Sequence, residues 1–201
     1  MKVLVACEYS GTVRDAFIKK GHEVMSCDLM DTDVAGPHYK GDVFDIINDG
    51  WDLMIAHPPC TFLCTSGARW LNDHRYPNRR KDREEAAEFF MRLYNSDIPK
   101  VCCENPVGYM TPYFRKPDQY VKPYEYGHPT TKKTGLWLKN LPKLIPTNVV
   151  TPEVHVTPSG RVWDKWFFES SLLPLKDRMK FRSKTFQGIA DAMADQWANG
   201  S

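Results

Sequence analysis

One cysteine of this sequence follows two prolines at the end of a short apolar run, and its position favours a chemical role. The run 53–56 is typical of a buried strand and leads directly into His57-Pro58-Pro59-Cys60. Proline fixes the backbone φ angle and donates no backbone hydrogen bond, so the strand must end here and Cys60 is held in a stiff turn. Ligands of open α/β sheets bind at the carboxyl ends of strands. Cys60 is therefore a candidate nucleophile, because a cysteine thiolate can form a covalent intermediate.

Carboxylates follow two other apolar runs at comparable points. Asp28 closes the run 22–27, and Glu104 follows the run 101–103. Because the carboxyl ends of parallel strands lie at one edge of a sheet, we expect these carboxylates and Cys60 to lie there. A carboxylate beside a thiolate can act as a general acid or base. Structural roles remain open, since free cysteines are often buried and aspartates favour strand-to-loop junctions.

The order of apolar patterns predicts the elements that position these residues. Helices are predicted at 13–19, 82–94 and 186–197, and Gly21 is expected to end the first of them. Strands are predicted at 2–7, 22–27, 51–56 and 101–103, with 41–44 as a further strand or the end of one. Strands that alternate with helices in this order favour an α/β fold with a doubly wound parallel sheet.

The sequence beyond Pro106 has a different texture. Residues 109–129 are rich in proline and tyrosine and are expected to form an extended loop region. Further strands are predicted at 135–139 and 162–168. No convincing linker divides the chain, so we expect a single domain over residues 1–201.

The composition limits the function classes. The chain has 201 residues, of which 42% are hydrophobic and 26% charged, enough for one domain with a substantial core. The formal net charge of +2 means that any basic surface must be local. No apolar segment approaches the roughly 20 residues that span a bilayer, and the first apolar run is too short for a signal peptide. The six cysteines do not resemble a secreted disulfide framework, so we expect a reduced, cytoplasmic protein without a membrane partner.

A metal site is the other chemistry that the cysteines suggest. His57 precedes Cys60 and Cys64, and Cys102 and Cys103 are adjacent in a predicted strand. This spacing is not a standard zinc pattern, and neighbours in a strand point to opposite faces. We therefore expect no metal.

Several motifs occur in an order that resembles the DNA cytosine-5 methyltransferase family. Pro59-Cys60 is similar to its Pro-Cys nucleophile motif, although Thr61 stands where the family usually has Gln. Glu104-Asn105 is similar to its Glu-Asn motif. Residues 126–132 (Tyr-Gly-His-Pro-Thr-Thr-Lys) stand in place of Tyr-Gly-Val-Pro-Gln-x-Arg-x-Arg, and 186–197 in place of the last motif. The resemblance covers nearly the whole chain and implies a Rossmann-like, S-adenosylmethionine-dependent methyltransferase fold.

The resemblance implies methyl transfer from S-adenosylmethionine to carbon 5 of a cytosine base in DNA. Cys60 would add to carbon 6 of the base, which turns carbon 5 into a nucleophile. Glu104 would hydrogen-bond ring N3 and the exocyclic amine. Lys132 matches the first arginine of the later motif and would support the base or the adduct.

The resemblance also implies residues for binding the cofactor and nucleic acid. The turn before the first helix would approach the methionine part, Asp28 the ribose and Asp42 the adenine amine. The cofactor-binding residues are thus expected to be Glu8, Tyr9, Ser10, Gly11, Asp28, Asp42 and Pro58. The basic segment after Cys60 stands where the family has a mobile loop that closes over DNA, although it is also typical of a solvated loop. Its candidate nucleic-acid contacts are Arg69, Trp70, Arg75, Arg79 and Arg80.

A second basic stretch lies in a region that departs from the family pattern. Lysines and arginines alternate over 176–184 and would line a second phosphate-binding edge. Residues 140–184 form a short insertion where the family has a large target-recognition domain, so we expect a recognition loop or hairpin. This small size is typical of a compact phage or prophage enzyme.

The short insertion and the altered motifs leave alternatives open. One is the same chemistry on a free pyrimidine nucleotide or single-stranded nucleic acid. Another is a catalytically silent protein of this fold that binds nucleic acid or cofactor. The expected partner is therefore DNA or a pyrimidine nucleotide, and a homo-oligomer or an accessory recognition subunit remains open.

Overall fold

The computed structural model describes residues 1–198, and of Arg69 it describes the backbone only. The strands are β1 (Lys2–Ala6), β2 (Glu23–Asp28), β3 (His38–Lys40), β4 (Leu53–Ala56), β5 (Lys100–Pro106), β6 (Gln119–Val121), β7 (Thr134–Lys139), β8 (Val154–Val156) and β9 (Val162–Asp164). The α-helices are α1 (Thr12–Lys19), α2 (Arg79–Tyr94), α3 (Met110–Tyr113), α4 (Lys165–Ser171), α5 (Leu175–Ser183) and α6 (Gln187–Ala198). Short 3-10 helices occupy Val43–Asp45, Thr65–Trp70 and Pro123–Glu125.

The central sheet has the strand order β3-β2-β1-β4-β5-β7-β6. Its first five strands pair in parallel, whereas β7 is antiparallel to both of its neighbours. The predicted α/β, doubly wound, Rossmann-like fold is confirmed. The order of strands reverses between β1 and β4, which is the point where sheets of this kind form a ligand crevice.

Helices cover both faces of the sheet because the inner strands are apolar on both sides. Alternate residues of β1 point to opposite faces, so Val3 and Val5 pack in one core and Leu4 in the other. The first core includes α1 and α6, and the second includes α2 through the fully buried Phe90. Burial of each such side chain stabilises the fold by about 1.5–3 kcal/mol.

The predicted helix end at Gly21 is confirmed. Gly21 follows the C-cap residue Lys20 and adopts φ +81°, a left-handed conformation that favours glycine. The amide of Gly21 donates to the carbonyl of Ile18, which satisfies one of the last carbonyls of α1. The chain can therefore turn directly into β2.

One strand prediction was wrong and another only partly correct, because aspartate side chains begin helical turns. The strand expected at 41–44 is displaced to β3, since Asp42 accepts a hydrogen bond from the amide of Phe44 and starts a 3-10 helix. The strand expected at 162–168 ends at Asp164, which accepts from the amide of Phe167 and caps α4.

The proline- and tyrosine-rich region is less irregular than expected. It contains α3, β6 and the 3-10 helix Pro123–Glu125. β6 forms the edge of the central sheet, where it pairs with β7. The loop prediction for 109–129 was therefore only partly correct.

Residues 140–184 fold into the β8–β9 hairpin followed by α4 and α5. The alternating basic residues at 176–184 lie mainly on α5, and alternate residues of a helix do not share a face. Lys180 and Lys184 instead both contact Asp33, and Arg178 donates to the carbonyl of Leu173. The prediction that these alternating residues line one second phosphate-binding edge was therefore wrong about their arrangement, since they do not share a face. Within residues 1–198, no helix is long and apolar enough to cross a membrane.

Candidate active site

A cleft lies at the carboxyl edge of the sheet, at the reversal of strand order between β1 and β4. Residues from three strand ends line it: Cys7 to Ser10 after β1, His57 to Cys60 after β4, and Glu104 to Pro106 at the end of β5. Lys132, which precedes β7, also lines the cleft. Residues 182–185, at the end of α5 and just beyond it, complete the wall. The cleft encloses about 140 Å³.

The turn that carries Cys60 is fixed by contacts on both of its sides. The amide of His57 continues the sheet by donating to the carbonyl of Ala6 at 2.9 Å. The side-chain amide of Asn105 donates to the carbonyl of Pro58 at 2.8 Å. The carbonyl of Cys60 itself accepts from the amide of Leu63 at 3.0 Å. The cysteine is thereby held beside β5 while its side chain remains exposed.

The loop beyond Cys60 packs tightly against the chain that follows β5. Cys64 and Gly108 form an isolated β-bridge, and the amide of Tyr109 donates to the carbonyl of Leu63 at 2.7 Å. A Cβ atom built on Gly108 would lie 1.9 Å from that carbonyl oxygen. Only glycine permits this approach, so Gly108 helps to set the position of the Cys60 loop relative to Glu104.

Glu104 forms an ion pair with His57. Oε2 of Glu104 lies 2.8 Å from Nδ1 of His57, whose side chain is only 9% exposed. Burial lowers the pKa of His57, but the hydrogen bond and charge of Glu104, together with Glu8, outweigh it, so the net shift is upward. Burial raises the pKa of Glu104, but His57 and Lys132 outweigh it and the net shift is downward. The pair is therefore favoured in its charged form.

Lys132 brings a second positive charge to the same wall. Burial lowers the pKa of Lys132, an effect that Glu104 and Cys60 partly oppose. Its Nζ donates to the carbonyl of Arg182 at 2.8 Å. Burial, Cys64 and Glu104 raise the pKa of the Cys60 thiol to about 11, whereas Lys132 lowers it. The positive charge of Lys132 thus favours the thiolate form of Cys60.

Four of the predicted cofactor-binding residues line the cleft: Glu8, Tyr9, Ser10 and Pro58. Glu8 is buried, and its carboxylate accepts hydrogen bonds from the amides of Val13 at 2.7 Å and Arg14 at 3.2 Å. These amides belong to the first turn of α1, which lacks internal partners for them. Ser10 also donates to Glu8. The N-terminus of α1 is therefore capped by a side chain of the protein itself.

The other three predicted cofactor residues lie beside the cleft rather than in its wall. Gly11 is the N-cap residue of α1, with φ +74°. Asp28 ends β2 and accepts a hydrogen bond from the amide of Met30, and Asp42 caps the 3-10 helix that follows. Burial raises the pKa of the half-buried Cys7 thiol, and the charges of Asp28 and Asp42 raise it further.

The predicted nucleic-acid residues whose side chains the structure describes lie in the segment after Cys60 and at the start of α2, outside the lining of the cleft. Arg75 pairs with Asp73 at 2.7 Å, and Arg80 contacts Asn72. Arg79 donates to the carbonyl of Thr61 at 3.0 Å and so ties the start of α2 to the Cys60 turn. The ring of Trp70 packs edge-on against Tyr76 at 5.7 Å. The side chain of Arg69 lies outside the described part of the structure.

A covering segment, residues 180–185, closes one side of the cleft. Its Ser183 hydroxyl lies 2.8 Å from the hydroxyl of Tyr9. Lys180 and Lys184 contact the two carboxylate oxygens of Asp33 at 2.6 and 2.8 Å. Because Lys132 holds the carbonyl of Arg182, the segment connects the loops after β1 and β2 with the chain before β7.

His57, Asn105 and the covering segment are site residues whose roles sequence reasoning missed. The sequence contains a partial signal for His57, which like Glu104 follows an apolar run, but which strands pair and in what register is seen only in the structure. β4 and β5 pair in parallel with Ala56 opposite Cys103, so the next residues, His57 and Glu104, face each other. No comparable signal placed the covering segment over the cleft. Among residues 1–198, no three His, Cys, Asp or Glu side chains gather as a metal site would require.

Comparisons with known proteins give structural neighbours of low sequence identity. One is a candidate DNA modification methyltransferase encoded within a prophage of E. coli, with 18% identity and a TM-score of 0.49 over 75% of this chain and 52% of that one. Another is the methyltransferase EhMeth of Entamoeba histolytica, with 13% identity and a TM-score of 0.49 over 77% and 58%. A variant of DNMT2 from Spodoptera frugiperda has 14% identity and a TM-score of 0.47 over 76% and 57%.

The chain spans a little over half the length of these solved structures. No protein-family model matches it, and no curated protein does.

Proposed function

We propose that this protein transfers a methyl group from S-adenosylmethionine to carbon 5 of a cytosine base, through a covalent adduct on Cys60. One observation carries the proposal. The nucleophile, carboxylate and cation expected from the sequence motifs, Cys60, Glu104 and Lys132, all line one cleft at the reversal of strand order. Convergence of residues from three distant parts of the chain is not required by packing alone.

The chemistry follows from the types of these groups. The thiolate of Cys60 forms a bond to carbon 6 of the base, and the electrons of the 5,6 double bond move to make carbon 5 nucleophilic. A proton reaches ring N3 from the side of Glu104, which avoids a negative charge on the ring. After carbon 5 has been alkylated, its proton passes to solvent, the electrons of that C–H bond restore the 5,6 double bond, and Cys60 leaves as the thiolate. Lys132 favours the thiolate both before addition and after expulsion.

The residues beside the cleft fit the proposed cofactor in charge. S-adenosylmethionine supplies an electrophilic methyl group and carries positive charge on its sulfur and amino group. Carboxylates lie at the corresponding strand ends: Glu8 lines the cleft, and Asp28 ends β2. Asp28 and the nearby Asp42 are proposed to hold the ribose and the adenine, by the logic of other doubly wound sheets.

The substrate is proposed to be DNA, in which case a base within a duplex must leave the stack to reach Cys60. A free pyrimidine nucleotide or a single strand is a second candidate. Two observations favour it: residues 140–184 form only a hairpin and two helices, and Arg75, Arg79 and Arg80 already have partners within the protein.

The test is transfer of labelled methyl from S-adenosylmethionine to duplex DNA, single-stranded DNA and dCMP in parallel. We expect label in at least one substrate, loss of transfer in Cys60→Ala, and retained transfer in the matched control Cys64→Ala. A 5-fluorocytosine substrate should trap a covalent adduct on Cys60, because fluorine cannot leave as a proton does. Transfer that persists in Cys60→Ala contradicts the mechanism, and label in dCMP alone contradicts the DNA assignment.

A further inference from the structure

His57 is a buried histidine whose contacts belong to the cleft but whose presence the proposed chemistry does not require. It stands immediately before Pro58, at the end of β4, and its Nδ1 lies 2.8 Å from Oε2 of Glu104. Its other ring nitrogen, Nε2, is buried and has no hydrogen-bond partner among the described residues. The Glu104 contact is therefore the hydrogen bond that fixes the ring.

The contact between His57 and Glu104 follows from the register of two paired strands and is not a flexible surface contact. β4 and β5 are adjacent parallel strands in the centre of the sheet, and Ala56 is paired with Cys103. The next residues therefore lie side by side: His57 follows the end of β4, whereas Glu104 is still part of β5 and pairs with Leu136 of β7. The side chain of Glu104 is 19% exposed, contacts His57 and lines the cleft.

We infer that His57 is a positioning residue that orients Glu104 and stores the proton that Glu104 delivers to ring N3 during covalent addition. This inference rests on the proposed function, which it deepens.

The proton that ring N3 takes up comes from a group within the cleft. In the resting state the imidazolium of His57 donates its Nδ1–H to the carboxylate of Glu104. The thiol proton of Cys60 leaves to solvent, the thiolate bonds to carbon 6, and ring N3 becomes basic. His57 passes its Nδ1 proton to the carboxylate of Glu104, and the carboxyl group so formed gives a proton to ring N3, which leaves His57 neutral and Glu104 ionised. Expulsion of Cys60 reverses the transfer, so the pair returns to its starting state.

The charges that face His57 support this resting state. Glu104 at the end of β5 and Glu8 in the loop after β1 favour the imidazolium, whereas burial and Lys132 before β7 oppose it. The net pKa of His57 lies above its ordinary value, so the stored proton is present below that pKa and is lost as pH rises through it. We therefore expect an alkaline decline in the reaction rate that reports the titration of His57.

The first arm of the test is NMR titration of the histidine ring nuclei, which needs no activity. The signal of His57 is identified by its loss in His57→Asn, and His22 is the internal reference. His22 lies just before β2, and burial and the N-terminal amino group lower its pKa. We expect the midpoint of His57 to lie above that of His22 and to fall in Glu104→Gln. A midpoint that Glu104→Gln leaves unchanged overturns the pairing.

The second arm is the pH profile of methyl transfer in His57→Asn, with His22→Asn as the matched control. Asparagine retains an amide donor near the position of Nδ1 but cannot store a second proton. We expect kcat at pH 7.5 to fall by roughly tenfold or more, with little change in KM, and the alkaline decline to move to lower pH. A merely structural role would change folding or KM but leave the shape of the profile intact.

The outcomes of the two arms are distinguishable. A wild-type profile retained by His57→Asn overturns the role of His57 and leaves the proposed function standing. Absence of transfer by the wild-type protein on every substrate overturns the proposed function and the role of His57 with it, whereas the ion pair is judged by NMR alone.

Discussion

Replacement of Gly108 by alanine tests whether the close approach of two loops sets the geometry of the cleft. Gly108 follows β5, the strand that carries Glu104, and abuts the loop that carries Cys60. A Cβ atom at this position would lie 1.9 Å from the carbonyl oxygen of Leu63 and 3.0 Å from Cα of Cys64. Both neighbours are backbone atoms, so no side-chain rotation can relieve the contact.

The size of the displacement can be estimated from these distances. Real Cβ atoms essentially never approach another heavy atom closer than 3.0 Å, so the two segments must separate by about 1 Å or more. A misplacement of about 1 Å between reacting groups can reduce a rate by about 100-fold. Overpacking of this kind also destabilises a protein by about 1–3 kcal/mol.

The assay combines methyl transfer with urea-induced unfolding of Gly108→Ala. We expect the transfer rate to fall by about 100-fold and the free energy of unfolding to fall by about 1–3 kcal/mol. Gly67→Ala is the matched control on the same loop: its Cβ would lie 2.8 Å from the end of the Arg79 side chain and 3.1 Å from the carbonyl oxygen of Thr61, contacts that smaller shifts relieve, so the rate should fall much less than in Gly108→Ala. A Gly108→Ala protein that keeps both wild-type rate and stability would refute the reasoning.

Three further predictions follow from contacts of the same cleft and core. Lys132→Met should slow alkylation of Cys60 by iodoacetamide at pH 8, because it removes a charge that favours the thiolate. In the wild type, the alkylation rate should keep rising until about pH 11, and a plateau of the rate near neutral pH would contradict the raised pKa of Cys60. Asp33→Asn should accelerate hydrogen exchange in residues 180–185. In the wild type, the same contacts should weaken as pH falls through the lowered pKa of Asp33, and equal exchange in both proteins would be evidence against it. Phe90→Ala should lower the free energy of unfolding by about 3–5 kcal/mol, because the Phe90 ring is buried and packs edge-on against Trp137 at 5.2 Å. A decrease of less than about 1 kcal/mol in a urea titration would contradict this packing.

Much of the fold could be predicted from local patterns, because its central strands are short apolar runs bounded by polar turns. The approximate positions of β1, β2, β4 and β5 follow directly from such runs. The convergence of Cys60 and Glu104 followed from one rule, that parallel strands present their carboxyl ends at one edge. The presence of Lys132 in the same wall could not be obtained in this way, since it precedes an antiparallel strand, and it was expected only from the order of motifs.

The features that escaped prediction depend on contacts between distant segments or on single capping side chains. The ion pair of His57 and Glu104 requires the register of two strands whose pairing the sequence does not state. The covering segment is determined by Asp33 and Tyr9, which lie more than a hundred residues away from it. Asp164 competes with strand formation by capping a helix, a choice that hydrophobic alternation alone does not reveal.

The carboxylate of Glu8, which caps α1, affects which ligands the N-terminus of this helix can bind. In doubly wound sheets that bind dinucleotides, the diphosphate lies at the N-terminus of the helix after the first strand, where free amides attract negative charge. Here Glu8 already accepts hydrogen bonds from the amides of Val13 and Arg14, so an incoming diphosphate would meet occupied donors and a fixed like charge. A ligand group with positive charge would be attracted to the same place. One side chain thus makes this helix terminus less favourable for the anionic groups that its backbone amides alone would attract.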